Sequence, residues 1–194
     1  MDHKGYLLVM MQPPPALEEE FNAWYDTEHL PERLSVKGFE TALRYICISG
    51  FPKYLALYDL QSAKVLESND YLKVSFDNSS PWTKRVTSRV KVERCAGTQI
   101  YPGNQITSTA SRLLLLRFSS LTEKASEQII HGMHENYGGA PETIQIRILE
   151  NKTPKGIDYF GLVELRAPIA EKINLEKFGN LANSLDLINI YAKY

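Results

Sequence analysis

Apolar positions along the chain fall into two rhythms. Short runs of strand length open it: GYLLVMMQ at 5–12 is nearly all apolar, and PPP breaks the chain directly after it. LEEEFNAWYDTEH at 17–29 follows with apolar residues at helical spacing. Its glutamates lie in the first turn, where the helix dipole favours them. FETALRYICIS and KYLALYDLQ, joined through Gly-Phe-Pro, predict a β-hairpin. SAKVLESNDYLKVSF predicts a second helix, with a serine at its start, and RVKVERCAGTQIY a closing strand.

The same order returns. SRLLLLRFS is a strand and LTEKASEQIIHGMHENYG a helix stopped by glycine. TIQIRILEN and DYFGLVELRA are strands about a loop with Pro154 and Gly156, EKINLEKFGNLANS is a helix and DLINIYAKY a last strand. Two passes of βαββαβ predict an α+β protein made of two ferredoxin-like units in tandem, residues 1–104 and 105–194. The join falls in the Pro/Gly/Ser/Thr-rich stretch 101–111. One such unit leaves a sheet face bare. Packing the two units sheet to sheet covers both faces and gives a pseudo-dimeric α+β barrel.

On a wheel of about 100° per residue centred on Phe21, Leu17, Trp24, Tyr25 and Glu28 share the stripe that faces the sheet, with His29 at its flank and Asp26 turned away. An inward carboxylate must be neutral, hydrogen-bonded or paired with a cation. Pro31 ends or restarts the helix and brings Arg33 near His29. Glu28, His29 and Arg33 thus form a candidate catalytic set: His29 or Glu28 moves a proton, and Arg33 holds an oxyanion or carboxylate. A structural ion pair between Glu28 and Arg33 is the competing reading. The second copy is a control. Its stripe Ala125, Ile129, Met133 and Tyr137 aligns Asn136 with Glu28 and Tyr137 with His29, so the charged set is confined to the first copy.

Other chemistry is thinner. SPWTKRV offers Trp82 and Arg85 as pocket or edge residues, with Ser80 and Pro81 read as the end of a helix or loop. His131 and His134 form an H-x-x-H pair without a third ligand nearby in sequence, so no metal site is expected. The formal charge of -1, from 22 basic and 23 acidic residues interspersed along the chain, argues against a polyanion-binding face. KGFETALRY begins like an RNA-recognition aromatic motif, but the later aromatics are missing and it falls on the second strand, so no nucleic acid is expected. YLLVMM is too short to span a membrane. Cys47 and Cys95 read as buried thiols in a cytoplasmic protein.

FNAWYDTEHLPERLSVKGFETALRY resembles the signature segment of bacterial proteins of the dimeric α+β barrel superfamily, nearest to EthD-like proteins with a W-Y-D-x-E-H-x-P-x-R helix end. SPWTKR resembles a tryptophan segment found later in such proteins. The superfamily includes cofactor-independent monooxygenases, muconolactone-type isomerases, aldoxime dehydratases and haem-dependent chlorite dismutases, so the fold does not choose the activity. The resemblance points to Trp24, Tyr25, Asp26, Glu28, His29, Pro31 and Arg33. It implies a cofactor-independent enzyme acting by acid/base chemistry on a small apolar or aromatic carbonyl compound, as isomerase, dehydratase, decarboxylase or monooxygenase. Trp24, Tyr25, Asp26, Trp82 and Arg85 would then form the substrate pocket. A haem would need His29 as its axial ligand. The alternative is a non-catalytic small-molecule-binding or stress-associated protein using the same cavity. Either form is compatible with a homodimer.

Overall fold

The computed structural model describes residues 3–169 and 172–194. In chain order the elements are β1 (Gly5–Gln12), α1 (Glu18–Trp24), a π-helical turn (Tyr25–His29), α2 (Leu30–Ser35), β2 (Phe39–Ser49), β3 (Tyr54–Leu60), α3 (Asn69–Leu72), α4 (Pro81–Thr87) and β4 (Lys91–Tyr101). Then follow β5 (Arg112–Leu121), α5 (Ser126–Tyr137), β6 (Thr143–Thr153), β7 (Gly156–Leu165), a 3-10 segment (Leu175–Ser184) and β8 (Leu185–Lys193).

The apolar runs become strands buried on both faces. In β1, Tyr6, Leu8 and Met10 enter one core, while Leu7, Val9 and Met11 enter another. All eight strands close into one antiparallel barrel in the order β1-β3-β2-β8-β5-β7-β6-β4. The inner core is filled with side chains from both halves, among them Tyr45, Leu57, Leu115, Phe160 and Tyr191. The outer faces are covered separately, by α1 to α4 over the first half and by α5 and the 3-10 segment over the second. No helix among the described residues is long and apolar enough to cross a membrane.

The halves meet edge to edge as well as face to face. β2 pairs with β8, and β4 with β6, each across a register shift. Closure consumes the strand edges that two separate sheets would leave open. Gly97 sits at one of these seams: a Cβ there would lie 2.0 Å from the backbone oxygen of Glu150. Gly97→Ala is therefore expected to cost about 2 kcal/mol or more, since backbone must move to relieve the overlap. A lowered denaturant midpoint with an unchanged slope would report it.

Three expected elements differ. The helix predicted over 62–76 is broken into a 3-10 turn at Ala63–Glu67 and the four-residue α3. Ser80 and Pro81 start a helix: the Ser80 hydroxyl caps Thr83 N–H and Pro81 occupies the first turn of α4. The helix predicted over 171–184 is 3-10 from Leu175, with Gly179 at φ 53° inside it; its expected start at Glu171 lies outside the described residues. Cys95 is buried, Cys47 is half-buried, and both are free thiols.

Candidate functional site

The first helix runs on past Pro31 by passing through a π turn. Pro31 has no N–H for the carbonyl of Thr27, and its ring would crowd that carbonyl in a tight α-turn; the wider turn relieves both problems. One extra residue in a turn sets the downstream side chains back by about 100°. His29 therefore swings from the flank of the apolar stripe into it, and Glu28 swings out. The turn also brings residues five apart into contact. Trp24 and His29 lie ring on ring with centroids 4.4 Å apart, and Tyr25 meets the imidazole edge at 5.1 Å.

A cavity of about 210 Å3 opens between this helix and the outer face of the sheet. Leu7, Val9 and Met11 of β1 and Tyr58 of β3 form its floor; Trp24, Tyr25, His29 and Arg33 form a wall. Tyr71 and Phe76 of the following segment, with Lys84 of α4 and Arg94 of β4, surround the opening. Two wall residues each hold a buried polar atom with no hydrogen-bond partner among the described residues: His29 Nδ1 and Arg33 Nη1. Arg33 is only 4% exposed. Its Nη2 donates to the Val74 carbonyl at 2.9 Å and its guanidinium lies over the Tyr71 ring at 5.3 Å. Glu32 is its nearest acid, 3.7 Å from Nη1.

Burial and then the neighbouring Arg33 charge push the His29 imidazole from 6.5 down to about 3. It is neutral at physiological pH and available as a base. Burial raises the Tyr25 phenol and takes Tyr58 up to about 12; the two hydroxyls are linked, Tyr58 donating to Tyr25 at 3.3 Å. Both stay neutral hydrogen-bonding groups.

The imidazole shift makes a stability prediction. Between pH 6.5 and about 3 only the unfolded chain takes up a proton at this histidine. Its contribution is complete above the unfolded value and is lost as the pH falls toward the folded one. Lowering the pH from 7 to 5 is expected to cost about 2 kcal/mol through this group. The loss should be absent in His29→Phe, as read by denaturation at both pH values.

The remaining predicted residues lie outside the cavity lining. Glu28 is half-buried against α4. Its Oε1 accepts the Ser80 hydroxyl and, at 3.2 Å, that of Thr83, whose Oγ1 in turn accepts from Trp24 Nε1 at 3.0 Å. Glu28 thus reaches the cavity wall through Thr83 and Trp24. Asp26 is exposed and paired with Arg44. Trp82 and Arg85 both bind Glu20, tying α4 to α1. Tyr58, Tyr71 and Arg94 were not singled out in the sequence; the outward alternation of Val92, Arg94 and Ala96 on β4 is the signal that places Arg94 on the cavity side. His131 and His134 are exposed, and no cluster of three metal-ligating residues exists among the described residues.

A second cavity of about 200 Å3 lies in the other half against Leu114, Tyr137, Leu165 and Ile190. Among the described residues its only titratable lining groups are Tyr137 and Arg112. Paired acid/base and anion-binding groups are found at the first cavity.

No protein-family model matches the chain, and no curated protein is similar to it in sequence. Solved structures resemble it in fold. An anthrone oxidase-like protein superposes with a TM-score of 0.70 at 8% identity, over 100% of this chain and 92% of its own. A proposed monooxygenase from Lactobacillus acidophilus does so with a TM-score of 0.58 at 7% identity, over 100% and 94%. A heme-binding protein from Thermus thermophilus has a TM-score of 0.57 at 12% identity, over 100% and 92%. The chain has the dimeric α+β barrel fold, which these proteins and chlorite dismutase-like ones share.

Proposed function

We propose that the protein is a cofactor-independent enzyme that removes a proton from a small aromatic carbonyl compound held in the first cavity. His29 Nδ1 and Arg33 Nη1, buried without a hydrogen bond in two residues that line the same wall, carry this reading; the Glu32 carboxylate 3.7 Å from Nη1 is an ion pair beyond hydrogen-bond reach. An enclosed polar atom without a partner is costly and calls for an explanation. A ligand carbonyl on Arg33 with its acidic C–H toward His29 satisfies both atoms. With Nε2 carrying the ring proton, Nδ1 presents its lone pair. As the carbon loses its proton, negative charge gathers on the oxygen beside Arg33. That charge also offsets the cationic neighbour, which after burial is the second cause depressing the imidazole, so part of the lost base strength returns where it is needed. Glu28 positions Trp24 through Thr83, and Tyr58 and Tyr71 pack the ring.

Oxygenation is the favoured outcome, supported by the similarity in fold to the anthrone oxidase-like protein and the Lactobacillus acidophilus protein. The resulting carbanion passes its electrons to dioxygen; the peroxide formed at that carbon loses water and leaves a carbonyl, so a CH2 group and O2 become C=O and H2O. Haem does not fit the residues present. The cavity of about 210 Å3 is smaller than sites for drug-sized molecules (about 300–1,000 Å3), and a haem is larger than most of those.

The halves 1–104 and 105–194 are read as tandem ferredoxin-like units. The strand orders β4-β1-β3-β2 and β8-β5-β7-β6, the same path twice, support this. A kinship with EthD-like proteins is part of this proposal and rests on the motif within 21–45 alone.

The test is deuterium exchange at the benzylic carbon of one-ring aryl ketones in heavy water, with oxygen uptake followed in parallel. Wild type should accelerate exchange and His29→Gln should not. Equal rates in wild type, His29→Gln and buffer would sink the proposal.

A further inference from the structure

The mouth of the first cavity has a charge pattern that proton abstraction alone does not require. Its lining carries three cations, Arg33, Lys84 and Arg94, and no carboxylate. In a chain whose formal charge is -1, such an excess at one opening is local. Arg33 sits deep. Lys84 and Arg94 are exposed at the rim, and neither forms an ion pair with a carboxylate among the described residues. The Lys84 ammonium donates to the Asp77 carbonyl at 2.6 Å, and Arg94 Nη2 to the Tyr71 hydroxyl at 3.3 Å. These contacts hold both groups at the opening without neutralising them.

Arg94 is placed by the sheet. It pairs in register with Val9, a floor residue, and its side chain leaves the outer face of β4 toward the mouth. Its guanidinium stands over the Phe76 ring at 5.9 Å. Phe76 is 64% exposed and takes a φ of 52°, a conformation costly for a bulky side chain. An exposed aromatic in that conformation, under an unpaired cation, makes a rim for a flat ligand with an anionic end.

Size narrows the class. An apolar cavity of about 150 Å3 takes benzene, so one of about 210 Å3 takes a single ring with its substituents. We infer that the ligand is a one-ring aromatic acid: its ring lies in the cavity, its reactive oxygen meets Arg33, and a separate carboxylate meets Arg94 and Lys84 at the mouth. The inference rests on the proposed use of this cavity and adds the permanent negative charge that distinguishes the ligand from a neutral ketone.

Calorimetric titration of the full chain with 4-hydroxybenzoate and with its methyl ester tests it. The two probes share the ring and differ in the charge. At low ionic strength the acid should bind at least about tenfold more tightly, an advantage that shrinks in about 1 M salt, where charges are screened within ~3 Å. The double variant Arg94→Gln/Lys84→Gln should erase the acid's advantage and leave the ester's affinity within about twofold. Both positions are exposed, so the fold is expected to survive; circular dichroism checks it. Equal affinities for acid and ester in wild type overturn the inference while leaving the cavity and its base in place. Saturable binding of neither probe overturns it together with the reading beneath it.

Discussion

Replacing His29 with glutamine is expected to slow proton removal by about 10²–10⁴-fold, the span a positioned general base contributes. Glutamine keeps a similar polar bulk against Trp24 and Tyr25 but offers no basic nitrogen. The pH dependence separates this from a packing defect. The free imidazole titrates near 3, so wild-type kcat/KM should stay flat as the pH falls from about 8 to 5. An ordinary exposed histidine would give a rate that falls away below about 6.5. Such a fall would refute the buried placement of Nδ1. Glu28→Gln supplies the contrast. Its amide oxygen can still accept from Ser80 and Thr83, so the path through Thr83 to Trp24 persists and the rate should change by less than about fivefold. A Glu28→Gln loss as deep as that of His29→Gln would transfer the base role to the carboxylate.

The contrast between these two residues marks where the sequence stops being legible. The strands could be read because each half of the barrel buries both strand faces, making GYLLVMMQ and SRLLLLRFS nearly continuous apolar runs. The first helix could be read from its stripe, but the register of its end could not. A uniform wheel assumes α-geometry throughout, and the π turn at Tyr25–His29 exchanges the places of Glu28 and His29 relative to the sheet. Pro31 is the visible cue: it reads as an end or a restart of the helix, and the chain instead continues through a widened turn. Ser80-Pro81 was a similar cue, since capping serine and first-turn proline mark a helix start. The short 3-10 segments carry no period long enough to see. Single charges within apolar strands, Asp59 in YLALYDL, Arg147 in TIQIRIL and Glu164 in GLVEL, were also visible. Their meaning depends on three strands meeting, which one-dimensional spacing cannot supply.

Arg147→Met should be the most damaging single substitution for stability, costing about 3–5 kcal/mol or more. Arg147, Asp59 and Glu164 point into the barrel with side chains 0% exposed, and the guanidinium pairs with both carboxylates. Its remaining donors reach Gln99 and Thr107. The carboxylates also hold the chain between the halves: Asp59 accepts Thr107 N–H at 2.7 Å and Glu164 accepts Ser108 N–H at 2.7 Å. Removing the arginine strands two buried negative charges and loosens the segment across the barrel end. For Asp59, burial acts to raise the carboxyl, yet Arg147, Thr41 and Thr107 outweigh it and hold it below its usual range. Without Arg147 burial should dominate, so the folded state would bind protons that the unfolded chain does not. These carboxylates would then add stability as the pH falls from 7 toward 5, opposite in sign to the loss through His29 that the variant retains, so its net loss over that window should be smaller than the wild type's or reversed. Adding Asp59→Asn and Glu164→Gln removes the stranded charges while keeping an acceptor at each position, and should recover most of the loss. Denaturation at two pH values distinguishes the outcomes: a single variant within about 1 kcal/mol of wild type, with the wild-type pH slope, would mean that apolar packing alone docks the two halves.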